Sequence, residues 1–399
     1  MFQRKLATEL LKRITEPRKR IQIVLGPRQT GKTTAVGQAI HSAGIRSHFV
    51  SADDPQMLSG EWIRNAWNYG RTLAAEEEAK GSSDGALLVI DEIQKVDQWS
   101  AYVKLLWDED VRTKVNLKVI LTGSSSLLLA KGMADSLMGR FEVLQSTHWS
   151  FQECEDAFGY TFDDYLLFGG FPGASDYVDD YDRWASYMGN SIIEPSISQD
   201  ILQLEQVRKP ALLRALFMLG ASYSGQELSL TKVLGQMQDA GNTITLAHYL
   251  ELLNSAGMLC GLQKYSLGAV RTRKSSPRFM AYDPSFMVFT AGATRETLES
   301  DLAWRGHLVE SAVGAYLLAR SKVDNFEVYY WRNQGAEVDF VIKKGQSVTA
   351  IEVKSGRVKG VGGSLEFLKR NPDAFSYVLG SQPFPIEDFI RGKFPLFPK

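Results

Sequence analysis

At 399 residues the chain is long enough for two to four units that each bury a core, and 44% hydrophobic with 23% charged residues is an ordinary globular composition. Its 45 basic and 46 acidic residues leave a net charge of −1, which excludes a global basic field and confines any nucleic-acid contact to a local patch. Two distant cysteines, Cys154 and Cys260, exclude a disulfide scaffold and point to a reducing, cytoplasmic setting, and five scattered histidines form no zinc-type cluster. No apolar run approaches the ~18 residues needed to span a bilayer, so no membrane partner is expected.

The chain opens with Arg4, Lys5, Lys12, Arg13, Arg18, Lys19 and Arg20. These could be read as a transit peptide, but an apolar run begins at Ile21 and leaves no room for a cleavage linker. The expectation is a basic amphipathic helix lying on the first domain. Residues 21–25 read as a strand, 26–34 as a loop and 35–40 as a helix. Gly26, Gly31, Lys32 and Thr33 fill the pattern G-x-x-x-x-G-K-[ST] of a phosphate-binding loop. The two glycines let backbone N–H groups turn inward, the helix start adds its positive dipole end, and Pro27, Arg28, Gln29, Thr30 and Thr34 complete the wrap around the phosphates of ATP. Lys32 would reach the β- and γ-phosphates, and the Thr33 hydroxyl would ligate Mg2+.

Residues 47–51 read as a short strand, and a helical region follows. Residues 86–90 form a continuous apolar run, as in a strand buried on both faces of a parallel sheet, and end in Asp91 and Glu92. This is a Walker B pattern: Asp91 would hold Mg2+ through water and Glu92 would polarise the attacking water. A third buried run, 118–121, ends in Thr122, Gly123 and Ser124, whose hydroxyls can contact the γ-phosphate or the water. For Ser125 and Ser126 a turn and helix cap is an equal alternative. A small-molecule kinase would share the phosphate loop but not the adjacent Asp91 and Glu92, which suit water activation.

Residues 26–33, 89–95 with Trp99, 121–125, Gly139 with Arg140, and 169–172 together resemble the prokaryotic AAA-type ATPases that carry a DUF4143 C-terminal region. The resemblance covers nearly the whole chain. It implies an additional-strand ATPase in the first domain and makes Arg140 the arginine that senses or stabilises the γ-phosphate. Acting from a neighbouring subunit, Arg140 would be a finger and the active form a homo-oligomer; a structural ion pair is the other reading.

Residues 151–208 read as a helical lid or linker, with a solvated acidic run at 176–182. Two amphipathic segments, 229–240 and 245–256, precede strand-like 258–262, a segment carrying Lys264, Arg271, Arg273, Lys274 and Arg278 without an acid, and strand-like 279–282. That order describes a winged helix with a charged wing, and both DNA contact and protein packing remain open roles. A helix over 305–320 carries Glu310, and strands follow at 326–331, 337–342 and 348–354. Period two sets Val338, Phe340 and Ile342 opposite Asp339, and Ile351 and Val353 opposite Glu352 and Lys354. This resembles the PD-(D/E)XK nuclease fold, with Asp339, Glu352 and Lys354 in its core motif and Glu310 as its helix acid. The resemblance implies a site for Mg2+ or Mn2+ with Lys354 stabilising charge, or a degenerate binding module.

The expected architecture is α/β: a P-loop NTPase parallel sheet over 1–150, a helical lid or linker over 151–208, a winged helix over 209–290 and a nuclease-like domain over 291–399. The expected activity is ATP hydrolysis coupled to action on DNA, with nucleotide state controlling the C-terminal site. The alternative is an ATP-dependent switch or assembly module whose nuclease-like part does not cleave.

Overall fold

The computed structural model describes residues 2–53, 59–124, 136–202, 207–237, 242–266, 276–355, 362–380 and 382–398. The chain divides into two compact units, Met1–Ser146 and Thr147–Lys399. Ser125, Ser126, Arg271, Arg273 and Lys274 lie outside the described residues.

The first unit is a five-stranded sheet in the order β2-β3-β4-β1-β5, with every pair parallel. Its strands are β1 (Ile21–Leu25), β2 (Ser47–Ser51), β3 (Ala86–Asp91), β4 (Leu117–Gly123) and β5 (Phe141–Gln145). Strands β1 and β3 are buried along their whole length, as their unbroken apolar runs require when both faces are covered. Alternation assigns the faces. Ile21, Ile23, Leu25, Leu88, Ile90, Val119 and Leu121 pack with α3 (Gly60–Ala79) and α4 (Trp99–Thr113), where Trp99 also lies. Val24, Leu87, Val89 and Ile120 pack instead with α1 (Lys5–Thr15) and α2 (Lys32–Ala43). The N-terminal basic stretch is therefore a helix on the domain body, anchored by Ala7, Leu10 and Ile14.

Strand β4 lies between the phosphate-loop strand β1 and the Walker B strand β3, as the additional-strand class implies. The registers Leu25↔Gly123 and Ile90↔Leu121 align the carboxyl ends of all three strands on one edge. In open parallel sheets that edge is where ligands bind.

The second unit begins with helices Phe151–Phe158 and Phe162–Phe168, each opened by a capping box, Ser150 with Glu153 and Thr161 with Asp164. The turn at Gly169 and Gly170 follows. Gly170 N–H donates to Asp283 Oδ2 at 2.8 Å, and its carbonyl accepts from Trp149 N–H at 3.0 Å. A Cβ on Gly169 would stand 1.8 Å from Asp283 Oδ1, and one on Gly170 would stand 2.2 Å from the Trp149 carbonyl oxygen. Only glycine fits either position. Asp283 also caps the helix Pro284–Ala291, where Phe217 packs edge-on and Phe171 tilted against Phe286.

The helix Tyr181–Tyr187 continues through wide turns over Met188–Ile193 and Ser196–Ile201, so the described residues after 181 stay helical to Ile201. Helices Pro210–Ser222, Leu230–Gln236 and Thr243–Ser255 then lead into β6 (Leu259–Lys264) and the antiparallel β7 (Arg278–Ala281). The apolar stripe of Thr243–Ser255 buries Leu246, Leu250 and Leu253. Strand β6 also pairs in parallel with β8 (Glu327–Asn333). The full sheet runs β11-β10-β9-β8-β6-β7, with β9 (Ala336–Lys344), β10 (Ser347–Val353) and β11 (Phe375–Leu379). The expected boundary at 290 thus falls between elements that share one sheet. The helix Leu302–Asp324 carries Glu310, and the helix Gly362–Arg370 buries Phe367 against Trp331, Val338 and Ala350. Among the described residues no helix is long and apolar enough to cross a membrane.

Candidate functional site

The nucleotide site is built on the carboxyl edge of the first sheet. Leu25 ends β1, and Gly26 begins the loop beneath Ser146, whose N–H donates to the Leu25 carbonyl at 2.6 Å. A Cβ on Gly26 would come within 1.8 Å of the Ser146 carbonyl oxygen, so the approach of the chain after β5 dictates glycine here. Gln29 at φ 59° and Gly31 at φ 82° are left-handed positions two residues apart, the kind of turn that aims successive N–H groups into a nest for anions. Gly31 caps α2, so the positive end of that helix opens onto the same place.

Lys32 is buried, and its Nζ donates to the carbonyls of Gly26 at 3.0 Å and Pro27 at 2.8 Å, which folds the cation over its own loop. The Thr30 hydroxyl donates to the Pro27 carbonyl at 3.0 Å and shares a hydrogen bond with Ser146 Oγ, so it staples the loop from inside. Arg28 is half-buried, whereas Gln29, Thr33 and Thr34 are exposed.

Thr33 Oγ1 donates to Asp91 Oδ2 at 3.1 Å, bringing two hard oxygens from different elements together beside Lys32. These residues fit Mg2+, which takes oxygen ligands next to substrate phosphates. Thr122, fully buried, donates its hydroxyl to Asp91 Oδ1 and accepts the Glu92 N–H at 3.3 Å. Glu92 adopts φ 52°, ψ 39°, a left-handed conformation that costs energy for a non-glycine residue and clusters at functional sites. Gln94 Nε2 donates to Glu92 Oε2 at 2.5 Å and to Ser124 Oγ at 3.0 Å, tying the tips of β3 and β4 together. The structure thus brings Lys32, Thr33, Asp91, Glu92, Thr122 and Ser124 to one place.

Arg140 is engaged elsewhere in its own chain. Its Nε and Nη2 bind both oxygens of Asp108 at 2.7 and 2.9 Å, and the hydrogen bonds from Arg140 hold the Asp108 carboxyl below the usual range. Three further residues matter that their type alone does not announce. Arg4 is buried and donates to the Thr30 carbonyl at 2.8 Å, so it braces the phosphate loop instead of facing solvent as Lys5 and Lys12 do. Gln94 has no assigned position in the motif. Ser146 lies beyond every motif.

The C-terminal carboxylates also converge. Glu310 Oε1 accepts from Arg278 Nη1 at 3.1 Å, and Arg278 Nη1 stands 3.6 Å from Asp339 Oδ1. Asp339 Oδ2 accepts the Val353 N–H at 2.8 Å. Glu352 Oε1 pairs with Lys354 Nζ at 2.6 Å, while its Oε2 accepts from Ser364 Oγ at 2.7 Å. Burial, and then the Asp339 charge, push the Glu310 carboxyl up, and burial does the same to Asp339. Arg278 is not a wing residue: it is 4% exposed and points into this cluster, because β7 begins at Arg278 and pairs with Leu262 of β6. As they stand, these residues do not fit a divalent ion, since the Arg278 guanidinium already lies between Glu310 and Asp339, 3.1 and 3.6 Å from their oxygens, and a second cation there would meet its charge. Among the described residues no group of three or more histidine, cysteine, aspartate or glutamate side chains is arranged to hold a metal ion.

Residues 18–155 match the family model of an AAA domain, 159–297 that of a domain of unknown function (DUF8612), and 305–390 that of a domain of unknown function (DUF4143). An uncharacterized protein of Haemophilus influenzae is 22% identical over 348 residues, covering 84% of this chain and 82% of that protein. An uncharacterized protein of Methanocaldococcus jannaschii is 24% identical over 275 residues, covering 64% of this chain and 58% of that one. Among solved structures, the Thermotoga maritima RuvB Holliday junction branch migration motor is 16% identical with a TM-score of 0.33, covering 64% of this chain and 88% of that one. AMPPCP-bound DnaA from Aquifex aeolicus is 15% identical with a TM-score of 0.30, covering 63% and 86%. The first unit is an AAA-type ATPase domain, the chain is an ATP-hydrolysing enzyme, and its C-terminal region is of the DUF4143 type.

Proposed function

We propose that the chain is a Mg2+-dependent ATPase that acts on DNA as a nucleotide-driven switch. The observation that carries this reading is the meeting of Thr33, Asp91, Thr122 and Glu92 around the phosphate loop, on the edge where β1, β4 and β3 end. Lys32 leaves the carbonyls of Gly26 and Pro27 for the β- and γ-phosphates of ATP. Thr33 and Asp91 would hold the Mg2+, which when bound would neutralise charge on those phosphates. Glu92 takes the proton from the attacking water; its left-handed backbone is fixed by the Thr122 hydroxyl, which accepts its N–H, and the Gln94 amide holds its carboxylate. The pair of Arg140 with Asp108 is partly exposed, so water can replace it when it opens and Arg140 is available to a neighbouring subunit's γ-phosphate in a homo-oligomer.

The helices Pro210–Ser222, Leu230–Gln236 and Thr243–Ser255, followed by antiparallel β6 and β7, support the winged-helix reading, with Lys264, Arg271, Arg273 and Lys274 as phosphate contacts. The engaged state of Glu310, Asp339 and Glu352 favours a nuclease-like domain that binds without cutting. The two buried free cysteines suit a reducing cytoplasm. The test is ATP turnover with and without duplex DNA, beside a variant with alanine at Lys264, Arg271, Arg273 and Lys274. DNA should raise turnover, the stimulation should fade with salt, and the variant should lose it. No stimulation at low salt would contradict DNA as the partner.

A further inference from the structure

Three acidic side chains close around one buried guanidinium in the second unit. Arg278 Nη1 donates to Glu310 Oε1 and to the Asp339 carbonyl, each at 3.1 Å, and Nη2 pairs with Glu337. Arg278 arrives from β7, Glu310 from the helix Leu302–Asp324, and Glu337 and Asp339 from β9, so the fold itself delivers the cation to the acids. The Arg278 Nε is buried and makes no hydrogen bond to the described residues, so its neighbours' charge offsets its burial more than full donor satisfaction does. A guanidinium presents fixed planar donors that can face several carboxylates at once.

A divalent ion at a nuclease-like centre would need the oxygens of Glu310, Asp339 and Glu352. Arg278, the Val353 N–H, Lys354 and Ser364 engage those groups instead. We propose that Arg278 is the resident cation of this centre, standing in for the divalent ion, so that the native chain excludes Mg2+ and Mn2+ there and Arg278→Ala opens a metal site. The inference rests on the nuclease-like reading of Glu310, Asp339, Glu352 and Lys354. The centre then works as a fixed binding or packing element, and removal of Arg278 leaves Glu310 and Asp339 without the cation between them, beside Glu352.

The experiment is Mn2+ binding to the full chain, followed through the spectroscopic signal of free Mn2+. It compares the parent, Asp339→Asn, Arg278→Ala and the double variant, with DNA cleavage measured on the same samples. The parent and Asp339→Asn should bind the same number of ions. Arg278→Ala should gain one site, at least about tenfold tighter than any the parent shows in this unit, and the double variant should lose it. If Arg278→Ala does not fold, Arg278→Gln takes its place, and the comparison of the parent with Asp339→Asn stands without either. A parent site that disappears in Asp339→Asn overturns the inference, as does a folded Arg278 variant with no new site. Mn2+ binding through Asp339 without cleavage sinks the inference alone, whereas Asp339-dependent cleavage by the parent also sinks the non-cleaving reading beneath it.

Discussion

Thr122 is where the account of the nucleotide site is most exposed to test. Its hydroxyl donates to Asp91 and accepts the Glu92 N–H, and the residue is fully buried, so no solvent replaces those contacts when the hydroxyl is lost. Thr122→Val keeps the shape and removes only the oxygen. A hydrogen bond to a charged group contributes about 1.5–3 kcal/mol. If that loss falls on the transition state, where Glu92 must be aimed at the water, turnover drops roughly 10- to 100-fold. Lys32 and the loop are untouched, so nucleotide affinity measured without Mg2+ should change by less than about twofold. The assay is single-turnover ATP hydrolysis beside equilibrium binding of a fluorescent nucleotide, with Thr122→Ser as the control that restores the hydroxyl. A Thr122→Val protein that turns over like the parent, or a Thr122→Ser protein that falls as far, would refute the positioning role.

Arg140→Ala should abolish turnover while Asp108→Ala, which removes only the resting partner, leaves it within about twofold. Equal losses would reduce the arginine to a structural ion pair. Mixing Arg140→Ala with Glu92→Gln protein should recover part of the activity at shared interfaces, and assembled mixtures without recovery would argue against action in trans. Gly170→Ala would place a methyl against the backbone of Trp149 and should destabilise the second unit by about 3 kcal/mol or more in urea, leaving nucleotide binding intact. Asp283 is pushed up to about 6 by burial, against the hydrogen bonds from Ser285 and Gly170. Its raised value means the folded state prefers the proton: the stability is present in full below about pH 4 and is lost as pH rises through about 6, up to roughly 3 kcal/mol. Asp283→Asn should remove that slope from stability measured between pH 4 and 6, and an unchanged slope would point to another group.

The unbroken apolar runs of β1 and β3 announced a parallel sheet because burial on both faces leaves no room for alternation, and the phosphate loop followed from local spacing alone. The order of the strands, with β4 between them, was carried by resemblance, since adjacency in a sheet is not a local property. Arg4 and Arg278 resisted the reading for the same physical reason. By type each belongs on a solvated face, and only a partner 26 residues away in one case and 32 or more in the other gives it a reason to be buried. Asp283 looks like an ordinary helix cap beside Pro284, yet it also accepts the Gly170 N–H from 113 residues upstream, and its close approach demands the glycine at 169. Gln94 sits in the Walker B segment with nothing in its spacing to show that its amide bridges Glu92 and Ser124.

The most direct measurement is Mg2+-dependent phosphate release by the parent and by Glu92→Gln, with bound nucleotide measured in both and Lys32→Ala as the binding-deficient control. Glu92→Gln should retain ATP and release almost no phosphate, while Lys32→Ala should bind none. Glu92→Gln turning over at the parent's rate would contradict the assignment of the general base and, with it, the reading of the cluster that Thr122 and Gln94 hold in place.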